Sequence, residues 1–145
     1  MNSELKNIKK IIVDQSLELD CGKIIKNFPL AYETYGTLNK NKDNAILAFH
    51  ALTGDQFCTN INPITKREGW WTFAVGPGKA IDTNKYFVIC ANVLGGCMGS
   101  YGPKEINAET NKLFGTTFPV ITIRDMVRAQ KYLIDYLGIK KLLSV

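Results

Sequence analysis

Histidine is nearly absent from this sequence: one imidazole, His50, serves 145 residues. The four cysteines, Cys21, Cys58, Cys90 and Cys97, include no C-x-x-C pair. Zinc sites are built from such pairs together with histidines, so no metal site is expected. Nothing signals a secretory setting that would favour disulfides, and the thiols are expected to be buried or idle. Arginine is scarce too, appearing only as Arg67, Arg124 and Arg128, and the excess positive charge of +5 rests on dispersed lysines. Nucleic-acid readers concentrate basic residues and favour arginine, so no nucleic-acid partner is expected. No apolar run reaches the roughly 18 residues of a membrane span. Met1 to Asp14 also lacks the apolar stretch of a secretory signal. The expectation is a cytoplasmic protein with no membrane partner.

What the sequence does have is enough apolar substance for one core, 46% of its residues. Leu17-Glu18-Leu19 alternates as a strand, and Asp20-Cys21-Gly22 reads as a turn. Leu30 to Tyr35 is rich in β-formers, and short turns make these opening strands antiparallel. Ala45 to Phe49 and Tyr86 to Ala91 are apolar runs of the kind that strands covered on both faces require. The long connection between those two runs fits a parallel pair. Within it, Trp70-Trp71-Thr72-Phe73 is expected to pack on the sheet as a short helix, with a lid over a pocket as the alternative. Thr122 to Leu137 is the best helix, with a stripe at Ile123, Met126, Val127, Leu133, Ile134 and Leu137. Thr122 and Asp125 have capping-box spacing, and Gly138 supplies the stop. Lys141 to Val145 begins another strand. The pattern is α/β, with antiparallel strands first and then parallel strands joined by crossovers. Residues 1–16 are expected to be an N-terminal extension and 17–145 an incomplete α/β domain.

The chemistry is expected around His50-Ala51-Leu52-Thr53-Gly54-Asp55. The preceding strand delivers this turn to the carboxyl edge of the sheet, and small residues there let backbone N–H groups approach a ligand. Two other motifs fail on inspection. Gly76-Pro77-Gly78-Lys79 has Phe73 and Ala80 where a Walker A loop needs Gly and Ser or Thr. Gly95-Gly96-Cys97-Met98-Gly99 imitates a nucleophile elbow with Cys97 as nucleophile. An elbow needs a helix directly after the nucleophile, and Ser100-Tyr101-Gly102-Pro103 does not start one. A shaped backbone loop near a pocket is the expected role of this stretch.

Taken together, His50 to Asp55, Gly76 to Ala80, Asn92 to Ser100 with Gly102-Pro103, Phe118-Pro119 and Thr122 to Val127 resemble homoserine O-acetyltransferase. Tyr101 departs from the pattern, standing where a small residue such as Thr is expected. The resemblance runs from about Leu17 to Val145 and implies an α/β-hydrolase fold. It implies acyl transfer from acetyl-CoA, or succinyl-CoA, to the homoserine hydroxyl in methionine biosynthesis, with no bound cofactor. The mechanism is ping-pong through an acyl-serine, formed by a serine that histidine and aspartate activate. Carried over, the Leu52 backbone N–H is the oxyanion-hole candidate. His50, Thr53, Gly54, Gly95, Gly96 and Cys97 are the pocket-loop candidates. The family is expected to be homodimeric.

The resemblance also implies that the strand at Leu142 to Val145 leads into a Gly-x-Ser-x-Gly elbow. None of the triad is then present in these residues, and His50 belongs to the oxyanion turn. The expectation is an N-terminal portion truncated before the elbow, inactive alone and prone to self-association through an open sheet edge. Other readings stay open. They are a remnant of a decayed gene, a serine O-acyltransferase, an esterase or hydrolase of the same fold, and a non-catalytic pairing module.

Overall fold

The computed structural model describes residues 7–145. The sequence first forms β1 (Lys10–Val13), β2 (Leu17–Glu18), β3 (Ile24–Ile25), β4 (Phe28–Tyr35) and β5 (Ala45–Ala48). After a long connection come β6 (Val75–Gly76), β7 (Ile81–Asp82) and β8 (Phe87–Ala91). A small hairpin, β9 (Ile106–Asn107) with β10 (Lys112–Leu113), precedes a short 3-10 turn and α1 (Ile123–Tyr136).

The main sheet has the order β1-β4-β8-β5. β4 runs antiparallel to both β1 and β8, while β5 and β8 are parallel, with Ala45 opposite Phe87 and Ala48 opposite Cys90. Beyond β5, Ser144 bridges Ile46 in parallel fashion, so the last residues extend the same sheet. Part of the stretch expected as an extension, Lys10–Val13, forms an edge of this sheet; residues 1–6 lie outside the described residues.

β8 is buried at every position, and its side chains alternate between two cores. Phe87, Ile89 and Ala91 pack with Phe28, Leu30, Leu47 and the helix residues Ala129, Leu133 and Ile134. Val88 and Cys90 pack on the opposite face with Tyr35, Ala48, Cys58 and Val75. A strand with period-2 side chains and cover on both faces has no polar position to spare, which explains its apolar run.

α1 begins with the expected capping box. The Thr122 hydroxyl accepts the Asp125 N–H, and the Asp125 carboxylate accepts the Thr122 N–H. It ends at Gly138, whose φ of 69° suits glycine. There the Gly138 N–H reaches the Asp135 carbonyl and the Ile139 N–H reaches that of Ile134, a Schellman closure. The helix face differs from the expected stripe. Ile123 is 72% exposed and Val127 51% exposed, whereas Asp125, Ala129 and Gln130 face inward. Ala129 lets the helix lie close to the sheet, and Asp125 is held inside by hydrogen bonds.

The short helix expected at Trp70 to Phe73 does not form; the segment is a series of turns. Gly69 presses so closely on the Cys58–Thr59 backbone that a Cβ there would stand 2.4 Å from the Cys58 carbonyl carbon. The Trp71 N–H then bonds the Cys58 carbonyl rather than one a helical turn earlier. The packing part of the expectation holds for Trp71, which leans on the second core, while Phe73 is exposed.

Candidate functional site

β5 and β8 are parallel neighbours, so the loops that follow them leave the same edge of the sheet. Carboxyl edges of parallel strands are where α/β folds bind ligands. In the first loop, the Ala51 carbonyl accepts the Gly54 N–H at 2.7 Å and closes a four-residue turn. Leu52 and Thr53 occupy its centre, neither with positive φ, as a type I turn requires. The turn does not use the N–H of its second residue. Among the described residues, the Leu52 N–H has no hydrogen-bond partner, and its side chain is 81% exposed.

Leu52 borders a pocket of about 250 Å³, with Leu94, Gly95, Gly96, Phe118 and Met126 around it. Larger hollows of about 730 and 710 Å³ lie elsewhere, one by Asp20 and Tyr132 and one by Leu47, Phe49 and Leu142. The small pocket brings a free backbone donor together with the loops that follow the parallel strands. Of the expected site residues, Leu52, Gly95 and Gly96 line it. His50 lies buried behind the turn, and Thr53, Gly54 and Cys97 do not line the pocket. Cys97 is exposed in a run of turns with no helix after it.

Behind the pocket is a buried polar frame. Val93 donates its N–H to His50 Nε2 at 3.3 Å, and His50 Nδ1 meets the Ala51 carbonyl at 2.7 Å. Asn92 is anchored at its backbone: its N–H reaches Ala31, and its carbonyl accepts the Ser100 hydroxyl at 2.6 Å. Its side-chain oxygen accepts the Met98 N–H at 3.2 Å. Ser100 Oγ also accepts the Ala31 N–H, and Gln56 Nε2 donates to the Met98 carbonyl. Asn92, Ser100 and Gln56 were not singled out from the sequence. The available signal was an Asn placed directly after a wholly apolar strand, where a side-chain amide can satisfy the turning backbone.

Gly96 fits this frame by close approach. A Cβ on Gly96 would stand 2.7 Å from both the Val93 carbonyl and Asn92 Oδ1. Gly96→Ala is therefore expected to displace the loop and destabilise the fold by about 1–3 kcal/mol. Urea unfolding checks this, and an unchanged midpoint would remove the close approach as a constraint.

On the far side of the turn, the Tyr35 hydroxyl donates to the Gln56 carbonyl at 3.1 Å and accepts the Cys58 N–H at 3.0 Å. Burial pushes the Tyr35 hydroxyl far above its ordinary pKa. The side-chain hydrogen bond with Cys58, together with burial, likewise pushes the Cys90 thiol up. These groups stay protonated at neutral pH and support the loop from behind.

The mixed sheet, its parallel pair and the turn at the carboxyl edge define part of an α/β-hydrolase fold. A homoserine O-acetyltransferase from Bacillus anthracis superposes with a TM-score of 0.84 at 37% identity, over 92% of this chain and 37% of that one. Esterase E22 superposes with a TM-score of 0.80, also at 37% identity, over 94% of this chain and 38% of that one. In sequence, a homoserine O-acetyltransferase of Pelagibacter ubique is 72% identical over 139 residues, 96% of this chain and 37% of the relative. One of Mesorhizobium japonicum is 58% identical over 132 residues, 91% of this chain and 34% of the relative. No protein-family model matches the chain. The chain is thus homologous, over nearly its whole length, to part of a homoserine O-acetyltransferase. It spans about a third of the length of the curated relatives it matches. Among the described residues, no helix is long and apolar enough to cross a membrane.

Proposed function

We propose that these residues supply one wall and one oxyanion-hole donor of an acyltransferase that moves an acetyl group from acetyl-CoA to the hydroxyl of homoserine. The observation that carries this reading is the Leu52 N–H, without a partner among the described residues and held at the carboxyl edge of the sheet beside a pocket. In the proposed reaction a serine hydroxyl attacks the thioester carbonyl, and the carbonyl oxygen takes up negative charge. The Leu52 N–H donates to that oxygen, the CoA thiol leaves, and the homoserine hydroxyl then displaces the serine. The nucleophile and its base are assigned to polypeptide outside these residues. His50 is excluded as the base because both its ring nitrogens already face hydrogen-bond partners.

The likeness to esterase E22 favours a second reading, in which water replaces homoserine as the acceptor. One experiment separates the two. Residues 1–145 replace the matching segment of the Pelagibacter ubique relative, and the chimera is given acetyl-CoA with and without homoserine. O-acetylhomoserine formed only with the amino acid present is the expected outcome. Acetate released at the same rate without homoserine would favour the hydrolase, and no turnover of either kind would reject both readings.

A further inference from the structure

We propose that His50 is a positioning residue whose neutral ring ties the turn carrying the Leu52 N–H to the loop that follows β8. The proposal rests on the reading of Leu52 as an oxyanion donor. The ring is 8% exposed and works at both nitrogens. On one side, the Ala51 carbonyl is the acceptor that also closes the turn through the Gly54 N–H. Nδ1 must therefore carry the hydrogen and donate it. On the other side stand two donors, the Val93 N–H at 3.3 Å and the Asn92 side-chain amide at 3.5 Å. Nε2 must therefore be bare and accept. Only the neutral Nδ1–H tautomer meets both demands.

The far anchor is rigid. Asn92 is buried at the end of the central strand, with its backbone N–H, backbone carbonyl and side-chain oxygen each bonded to a different residue. The near anchor is the first residue of the turn, one position before Leu52. Gly54 seals the arrangement: a Cβ there would lie 3.1 Å from His50 Cβ and 3.4 Å from Nδ1. The ring thus transmits the position of the sheet to the turn and holds the Leu52 N–H in place. It touches no substrate. Its effect is to fix a donor against an oxygen that becomes charged only in the transition state. A donor displaced by about 1 Å forfeits on the order of 10²-fold in rate.

The test uses the chimera with His50→Phe, which fills the space without an acceptor, and His50→Gln, whose amide oxygen can still reach the Val93 N–H. His50→Phe is expected to lower kcat by roughly 10²-fold with little change in KM for homoserine, since the lost interaction belongs to the transition state. His50→Gln is expected to recover most of that loss, which no general base replaced by an amide would do. An unchanged kcat in His50→Phe, or equal losses in both variants, would overturn the proposal. Should His50→Phe fail to fold, ¹⁵N NMR of the wild-type chimera decides, with the His50 signal identified by its absence in His50→Gln. A bare Nε2 and a protonated Nδ1 are expected; the opposite tautomer or a charged ring sinks the idea. Leu52→Pro separates this from the reading beneath it. If that substitution leaves kcat intact, the oxyanion role falls; if it lowers kcat while His50→Phe does not, only the positioning role falls.

Discussion

Leu52→Pro is expected to lower kcat of the chimera by roughly 10²–10³-fold, the loss typical of one missing oxyanion-hole donor. Proline removes the N–H and the leucine side chain while leaving the backbone of the turn as it is. Leu52 is the second residue of a turn whose two central residues both have negative φ, and proline is favoured there because its ring presets that angle. The N–H it lacks takes no part in the turn, which is closed by Gly54 donating to Ala51. The fold should therefore survive, and thermal unfolding with an unchanged midpoint is the required control. Leu52→Ala keeps the donor and loses only pocket wall, so it is expected to cost less than about ten-fold. The comparison isolates the backbone group from the side chain. Equal losses in the two variants would assign the effect to the leucine side chain and remove the Leu52 N–H from the mechanism. A folded Leu52→Pro protein of full activity would do the same.

How much of this was legible beforehand depended on whether the signal was local. The run at β8 announced itself because both faces of that strand are covered, leaving no polar residue to blur it. The helix cap was readable because Thr122 and Asp125 sit three residues apart and satisfy each other directly. The turn at His50 to Gly54 was readable for the same reason. Elements with few residues leave no periodicity: β9 and β10 have two residues each, and β1 has four, too few to stand out although Ile11-Ile12-Val13 is β-branched throughout. The face of α1 departs from the apolar stripe. Asp125 is fully buried while Ile123 is exposed, a reversal that depends in part on the backbone N–H of Asp20, over a hundred positions away. The frame behind the pocket was hidden in the same way. His50 and Asn92 are adjacent only because β5 and β8 pair in parallel, and no spacing within the sequence encodes that meeting.

The second large effect is expected at Asp125. Its carboxylate lies inside the fold and accepts the Thr122 N–H at 2.9 Å, the Asp20 N–H at 3.0 Å and Arg128 Nη1 at 3.1 Å. It therefore joins the helix start to the β2–β3 turn. Asp125→Ala removes the acceptor and leaves the Thr122 and Asp20 N–H groups without it, while Arg128 keeps its bond to Asp20. A loss of about 2 kcal/mol is expected, as for removing a buried carboxylate that accepts several hydrogen bonds. The shift of the urea midpoint measures it, and a loss below about 1 kcal/mol would mean that water replaces the carboxylate at no cost. Acid should reproduce part of the effect. Burial pulls the Asp125 pKa up, but the hydrogen bonds from Thr122 and Asp20 outweigh it and hold the group below the usual carboxylate value. Asp20 is also held low, by the Thr122 hydroxyl first and by Arg128 next. A carboxylate with a depressed folded pKa contributes stability that is complete above its unfolded value, near 3.9. That stability drains away as pH falls through the folded value. Wild-type protein should therefore hold its midpoint from neutrality to about pH 5 and then decline, whereas Asp125→Asn should start lower and decline less steeply. Parallel acid limbs in the two proteins would show that Asp125 is not the group whose protonation loosens the helix start.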